Sequence, residues 1–170
     1  MFRIPALIFG LLSASAAAAD VSVQFLEGAP KDRFRIMNLS QCDTGPIDVT
    51  IDLSGSAAGL IFDTTAQGGG VQVFQPFELV EGGEQVAGFS AVSDGQVELV
   101  LSLSDLPGLG AVAFTIDVDD TLAASSNGQS RVSDSEIAGA TIRISRAAGT
   151  LEAKFDGSAQ AAVALQNCTS

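Results

Sequence analysis

The sequence predicts an all-β protein folded as a single antiparallel β-sandwich, immunoglobulin-like or jelly-roll-like in arrangement. Apolar and polar residues alternate with the two-residue period of strands, and not with the period of helices. Turn signals built from Gly, Pro, Asp and Asn separate the alternating runs at short intervals. The chain of 170 residues is long enough for one domain with a core of its own.

Five runs alternate strictly, so each places its apolar side chains on one face of a sheet. These runs are residues 48–53, 96–99, 114–118, 141–145 and 150–155. With the shorter apolar segments between the turns, they predict about eight to eleven strands. The Ala-rich segment 158–165 fits either a helical turn or a last edge strand, and we favour the strand.

Residues 1–19 have the pattern of a signal peptide. Arg3 gives a short positive region, residues 4–12 are apolar, and residues 17–19 are three alanines that offer a cleavage site before Asp20. The apolar run is too short to span a bilayer. We therefore expect a domain over residues 20–170 that is exported to the periplasm or the extracellular space, with no insertion into the membrane.

Two cysteines, Cys42 and Cys168, lie in the predicted domain. An even pair in an oxidising compartment favours one disulfide, which would tie the end of the chain to a position near the start of the domain. The alternative is two buried free thiols.

The composition excludes several classes of function. The chain has no His, Trp or Tyr, and its formal net charge is −12. Imidazole acid–base chemistry and His-bearing metal sites are therefore absent, as are Trp and Tyr stacking platforms. The negative charge repels phosphate backbones, so nucleic acid is not expected as a partner.

The motif Asp117-Val118-Asp119-Asp120-Thr121 follows an apolar run. It looks like the first motif of haloacid-dehalogenase-type phosphotransferases, which implies Asp117 as nucleophile and Asp119 as general acid/base around Mg²⁺. That family needs alternating strands and helices after the motif, whereas short strands and turns follow here. We therefore predict that the protein is not an enzyme, and a phosphotransferase is a remote alternative.

A calcium site is the second interpretation of the same segment, because hard oxygen ligands suit Ca²⁺. Its spacing does not match the helix–loop–helix calcium motif. The proposed ligands are carboxylates from the strand end and the following loop, with Asn127 a further oxygen donor: Asp117, Asp119, Asp120, Asp134 and Glu136.

Two other interpretations need no metal. The carboxylates are then solvated groups on an outward strand face, or they pair with the nearby Arg131, Arg143 or Arg146. Two further features also have plain explanations. The glycines at 68–70 suit a turn into a strand better than a phosphate loop, and three phenylalanines that might line a groove (Phe74, Phe77 and Phe89) suit a core better.

Four segments together resemble a known family: residues 59–64, 73–78, 114–122 and 135–140. They are similar to small exported proteins of marine alphaproteobacteria labelled "aggregation factor core", after the core protein of sponge aggregation factors. The resemblance implies an extracellular, calcium-linked role in adhesion or in a matrix. It implies no catalytic residues.

The sequence thus predicts a non-catalytic exported β-sandwich. Its expected cofactor is Ca²⁺ and its expected partner a protein or a surface glycan, in cell aggregation, adhesion or a matrix. The alternative is a purely structural domain without a ligand. The oligomeric state is left open.

Overall fold

The computed structural model describes residues 20–65, 75–122 and 132–165. Within these ranges the chain forms two antiparallel sheets packed together, with two short 3₁₀ turns at Leu53–Gly55 and Gly83–Gln85 and no α-helix. The predicted all-β sandwich is confirmed.

Eleven strands lie in the described residues. They are β1 Val21–Leu26, β2 Asp32–Asn38, β3 Ile47–Asp52, β4 Ile61–Asp63, β5 Glu78–Glu81, β6 Val86–Phe89, β7 Glu98–Leu103, β8 Ala111–Asp119, β9 Thr141–Arg146, β10 Gly149–Lys154 and β11 Gln160–Val163.

The first sheet has the order β11-β1-β2-β8, and both β5 and β4 pair with the remaining edge of β8. β5 pairs with residues 113–115 of β8, and β4 pairs with residues 117–119. The second sheet has the order β10-β9-β3-β7-β6. All of these pairings are antiparallel, so β8 is the strand on which two short segments of the chain converge.

Alternation along β8 decides which side chains enter the core. Val112, Phe114, Ile116 and Val118 are buried against the opposite sheet. Asp117 and Asp119 therefore lie on the other face, since successive side chains of a strand point to opposite sides.

Aromatic packing holds the centre of the first sheet. The ring of Phe34 lies 5.1 Å from that of Phe25, 5.3 Å from Phe114 and 6.4 Å from Phe62. Phe62 belongs to β4 and is fully buried. A strand of only three residues is thus anchored in the core by its middle side chain.

β4 also bridges the two sheets. The N–H of Phe62 donates to the carbonyl of Gln96 (2.8 Å), and the N–H of Gly95 donates to the carbonyl of Phe62 (3.0 Å). Gly95 and Gln96 lie just before β7 of the second sheet. The sandwich is therefore joined by backbone hydrogen bonds at this edge, where β4 meets the end of β8.

The five predicted runs correspond to β3, β7, β8, β9 and β10, and the segment 158–165 contains β11, an edge strand as expected. β7 begins at Glu98, two residues after the predicted start, because Gln96 pairs with Phe62 instead of β3.

The prediction of core phenylalanines holds for Phe77, which packs on Phe114 at 4.9 Å. It is wrong for Phe89, which is 51% exposed at the end of β6. There its ring stacks on Phe77 at 4.2 Å, so one face is covered and the other is open to solvent.

Several predictions concern residues outside the described ranges. These are the signal peptide over 1–19, the glycines at 68–70, Phe74, Asn127, Arg131 and Cys168. The pairing of Cys42 with Cys168 accordingly stays a prediction. In the ranges that are described, no helix is long and apolar enough to cross a membrane.

Candidate metal centre

Three carboxylates meet where β4 pairs with β8. Asp63 is directly opposite Asp117 in the register, and Asp119 lies two residues further along β8 on the same face. One carboxylate oxygen from each residue can be chosen so that all three lie within 4.8 Å of one another. That span fits oxygen atoms around one cation, because Ca²⁺–oxygen distances are about 2.3–2.6 Å.

Burial makes this cluster unusual for an outward sheet face. Asp63 and Asp119 are each only 1% exposed, and Asp117 is half-buried. Neither carboxylate oxygen of Asp63 accepts a hydrogen bond from a described residue. A buried carboxylate without donors is strongly destabilising as an anion, so it needs either a proton or a cation.

Burial and mutual repulsion raise the pKa values of Asp117 and Asp63. Burial raises the pKa of Asp117 to about 7, and the negative charges of Asp119 and Asp63 add to the effect. Burial likewise raises the pKa of Asp63 to about 6, helped by the charge of Asp119. At neutral pH the cluster therefore favours a positive species beside it.

The loop before β4 fixes one end of the strand. Thr121, two residues after Asp119, donates its hydroxyl to the carbonyl of Gly59 (2.7 Å). Gly59 has φ +63°, and a Cβ placed there would lie 2.8 Å from the Thr121 hydroxyl oxygen. The positive φ favours glycine at this turn, and a larger residue would have to displace the Thr121 hydroxyl.

Asp94 fixes the chain just after β4. Its Oδ1 accepts hydrogen bonds from the N–H of Thr64, the hydroxyl of Thr64 and the N–H of Thr65, each at 2.8 Å. Its Oδ2 accepts the hydroxyl of Thr65. These donors, the Thr65 hydroxyl above all, hold the pKa of Asp94 below its usual value.

Asp120, a predicted ligand, is 2% exposed, and neither of its oxygens accepts a hydrogen bond from a described residue. It is not part of the three-carboxylate group. The interpretation of this motif as solvated carboxylates is wrong for Asp119 and Asp120, because both are buried where β8 ends.

The other two predicted ligands lie elsewhere. Asp134 is exposed, and Glu136 accepts hydrogen bonds from the N–H (2.6 Å) and hydroxyl (2.8 Å) of Ser133. Glu136 thus caps its own turn. Neither residue belongs to the group formed by Asp63, Asp117 and Asp119.

A further buried carboxylate, Asp32, lies beside this edge and was not predicted. Its carboxylate accepts hydrogen bonds from the N–H of Gly28 (3.0 Å) and the N–H of Val118 (3.1 Å). Asp32 is the first residue of β2, and Val118 lies on β8 beyond the last residue paired with β2. Burial raises the pKa of Asp32 to about 7 in spite of these two donors, and the charge of Asp117 adds to the rise.

Neutralisation of the cluster by Arg143 does not occur. Arg143 lies in β9 of the other sheet and pairs with Asp52 (3.2 Å) and Glu98 (2.5 Å). Arg146 donates to the carbonyl of Leu165. The ion-pair interpretation therefore fails for Arg143.

The phosphotransferase alternative requires a parallel sheet with helical crossovers. Here Asp117 and Asp119 lie on an antiparallel strand, and Lys154 ends strand β10 instead of opening a helix. The described fold does not supply the architecture on which that mechanism depends. What the geometry can do is hold a hard cation between β4 and β8.

No family model matches the chain, and no curated protein or solved structure matches it significantly.

Proposed function

We propose that this protein is a non-catalytic, exported β-sandwich that binds Ca²⁺ through Asp63, Asp117 and Asp119. The supporting observation is the Asp63 carboxylate, which is 1% exposed, faces two other carboxylates and accepts no hydrogen bond from a described residue. A cation bound between these three carboxylates offsets the repulsion between their negative charges.

Calcium suits the site better than softer metals. The three side chains offer only carboxylate oxygens, and the whole sequence contains no His. Oxygen-only sites favour Ca²⁺ or Mg²⁺, and Ca²⁺ accepts irregular geometry and bidentate carboxylates more readily. An irregular site joining two strands therefore favours Ca²⁺.

The biological role that we propose is calcium-linked adhesion or matrix assembly outside the cytoplasm. It rests on the predicted signal peptide over residues 1–19 and on the resemblance to the aggregation factor core family. The partner in this role is a protein or a surface glycan. Clustering of protein-coated beads in Ca²⁺, reversed by chelation, tests the role, and beads that stay dispersed in both conditions contradict it.

Calorimetric titration of the chelated protein with Ca²⁺ and with Mg²⁺ tests the site itself. We expect Ca²⁺ to bind and to raise the melting temperature, since a ligand at a hundred times its Kd adds about 2.7 kcal/mol to the stability of the folded state. Asp117→Asn should abolish both signals. Asp48→Asn is the matched control, because Asp48 is an exposed carboxylate on strand β3. No heat and no thermal shift at millimolar Ca²⁺ would leave a purely structural domain.

A further inference from the structure

The segment Asp94-Gly95-Gln96 lies at the same edge as the three carboxylates but contributes no side chain to them. It comes from the loop before β7, in the second sheet. Its backbone contacts Phe62 of β4, and the Asp94 side chain contacts Thr64, just after β4. This segment lies where it can hold Asp63 in register with Asp117 of β8.

The pairing of β4 with β8 does little to fix the position of Asp63. β4 has three residues, and its register places Asp63 against another carboxylate, an arrangement that disfavours pairing. Phe62 anchors the middle of the strand in the core. The C-terminal end of β4 therefore depends on what holds the residues that follow it.

Asp94 fixes the residues that follow β4. Its carboxylate accepts four hydrogen bonds from Thr64 and Thr65, the two residues after Asp63. The backbone of Gly95 and Gln96 forms two hydrogen bonds with the backbone of Phe62, the residue before Asp63. Asp63 is thus fixed from both sides by one segment of the opposite sheet.

From this geometry we infer that Asp94 is the positioning residue of the cation site: it orients Asp63 through Thr64 and Thr65 without binding the cation. The inference rests on the proposed function. One consequence is that cation binding and the junction between the two sheets support each other, because both require β4 to be in place.

Two substitutions at one position separate positioning from charge. Asp94→Asn keeps an Oδ1 acceptor, which takes three of the four hydrogen bonds, and it removes the negative charge. Asp94→Ala removes every acceptor. Loss of an outer-shell partner of a metal ligand typically weakens metal affinity about 10–100-fold.

We therefore expect Asp94→Ala to weaken Ca²⁺ binding at least about tenfold in calorimetry, and Asp94→Asn to stay within about threefold of the unmodified protein. Asp156→Ala is the matched control. The Oδ1 of Asp156 also accepts three hydrogen bonds, from the N–H and hydroxyl of Ser158 and the N–H of Gln160, but in the turn between β10 and β11. The control should bind Ca²⁺ normally.

Amide hydrogen exchange gives a second readout that does not depend on a variant folding. Ca²⁺ should slow exchange at the N–H groups of Phe62 and Gly95, which join β4 to the second sheet. The N–H of Gly45, which donates to Asp105 in a distant loop, should be unaffected.

The outcomes are distinguishable. If the unmodified protein binds no Ca²⁺, both the proposed function and this inference fail. If it binds Ca²⁺ and Asp94→Ala binds it equally well, the inference alone is overturned. Equal weakening by Asp94→Asn and Asp94→Ala would assign the effect to the charge of Asp94, and would also overturn a positioning role.

Discussion

Asp63 faces Asp117 directly across the β4–β8 ladder, so two carboxylates occupy a position where strands usually place complementary side chains. Asp119 follows on the same face, and both Asp63 and Asp119 are buried. Like charges held this close destabilise the strand pair unless a cation or a proton intervenes. The folded state is therefore locally destabilised at this edge, as is common at ligand-binding sites.

The first prediction concerns Asp63→Asn. In chelator at pH 8, this change removes the repulsion with Asp117 and Asp119, so we expect a melting temperature higher than that of the unmodified protein by a few degrees. In saturating Ca²⁺ the order should reverse, because the variant loses a ligand. Differential scanning calorimetry in both buffers measures the two effects. A variant that is less stable in both would show that Asp63 is tolerated without a cation.

The second prediction is the pH dependence of the chelated protein. The pKa values of Asp32 and Asp117 rise from 3.8 in the unfolded chain to about 7 in the folded one, and that of Asp63 rises to about 6. Between about pH 4 and pH 7 the folded state therefore binds more protons than the unfolded state. Its free energy of unfolding should fall as pH rises through this window and level off above it.

Urea denaturation in chelator at pH 5 and pH 8 checks this dependence, because each pKa unit corresponds to about 1.4 kcal/mol between the two protonation states. Asp117→Asn should flatten the profile, and Asp48→Asn should not. Saturating Ca²⁺ should restore stability at pH 8, since the cation replaces the lost protons. A stability that rises from pH 5 to pH 8 in chelator would contradict the assignment.

The sequence predicts the sandwich well because alternation is a local property. Residues 114–118 reveal by their spacing alone that Asp117 lies on the face opposite Phe114, and the structure agrees. Asp117 and Asp119, both in the predicted ligand set, lie on the same face of β8.

The sequence does not indicate Asp63 or Asp94 as site residues, for a physical reason. β4 is three residues long, too short to show a period, and its pairing with β8 is a long-range choice of register. Asp94 is followed by Gly95, a pair that indicates only a turn. Conversely, nearness in sequence suggests Asp134 and Glu136 as ligands, yet Glu136 accepts hydrogen bonds from Ser133.

The third prediction concerns Asn38, whose buried amide links two loops. Its two N–H groups are shared among the carbonyls of Cys42 (2.8 Å), Leu106 (2.9 Å) and Pro107 (3.1 Å), and its oxygen accepts the N–H of Ser40 (3.0 Å). Asn38→Ala leaves these carbonyls without their donor, the Leu106 carbonyl in a buried contact, which should cost about 3 kcal/mol of folding stability.

Chemical denaturation measures that loss, and Ser40→Ala is the milder comparison because it leaves the three bonds from the Asn38 nitrogen intact. Although Asn38 begins an N-x-S pattern, its nitrogen is 2.8–3.1 Å from three carbonyls in the folded chain. A glycan on this nitrogen is therefore incompatible with these three contacts in the folded chain. A loss below about 0.5 kcal/mol, the range of an ordinary surface change, would contradict this structural role.

The fourth prediction tests the turn that leads into β4. Gly59→Ala places a Cβ 2.8 Å from the Thr121 hydroxyl oxygen, at a backbone φ of +63° that disfavours L-residues. We expect a loss of about 1–2 kcal/mol from the backbone conformation, and an added loss from displacement of Thr121, which ends the motif that carries Asp117 and Asp119.

Ca²⁺ affinity should fall together with stability in Gly59→Ala, since the turn holds β4 against β8. Gly45→Ala is the matched control: Gly45 also has positive φ (+65°), but a Cβ there meets no atom within 4 Å. The control should lose stability from backbone strain alone and keep its Ca²⁺ affinity. If the two alanine variants lost stability equally and both bound Ca²⁺ normally, then the contact between Gly59 and Thr121 would have no part in shaping the site.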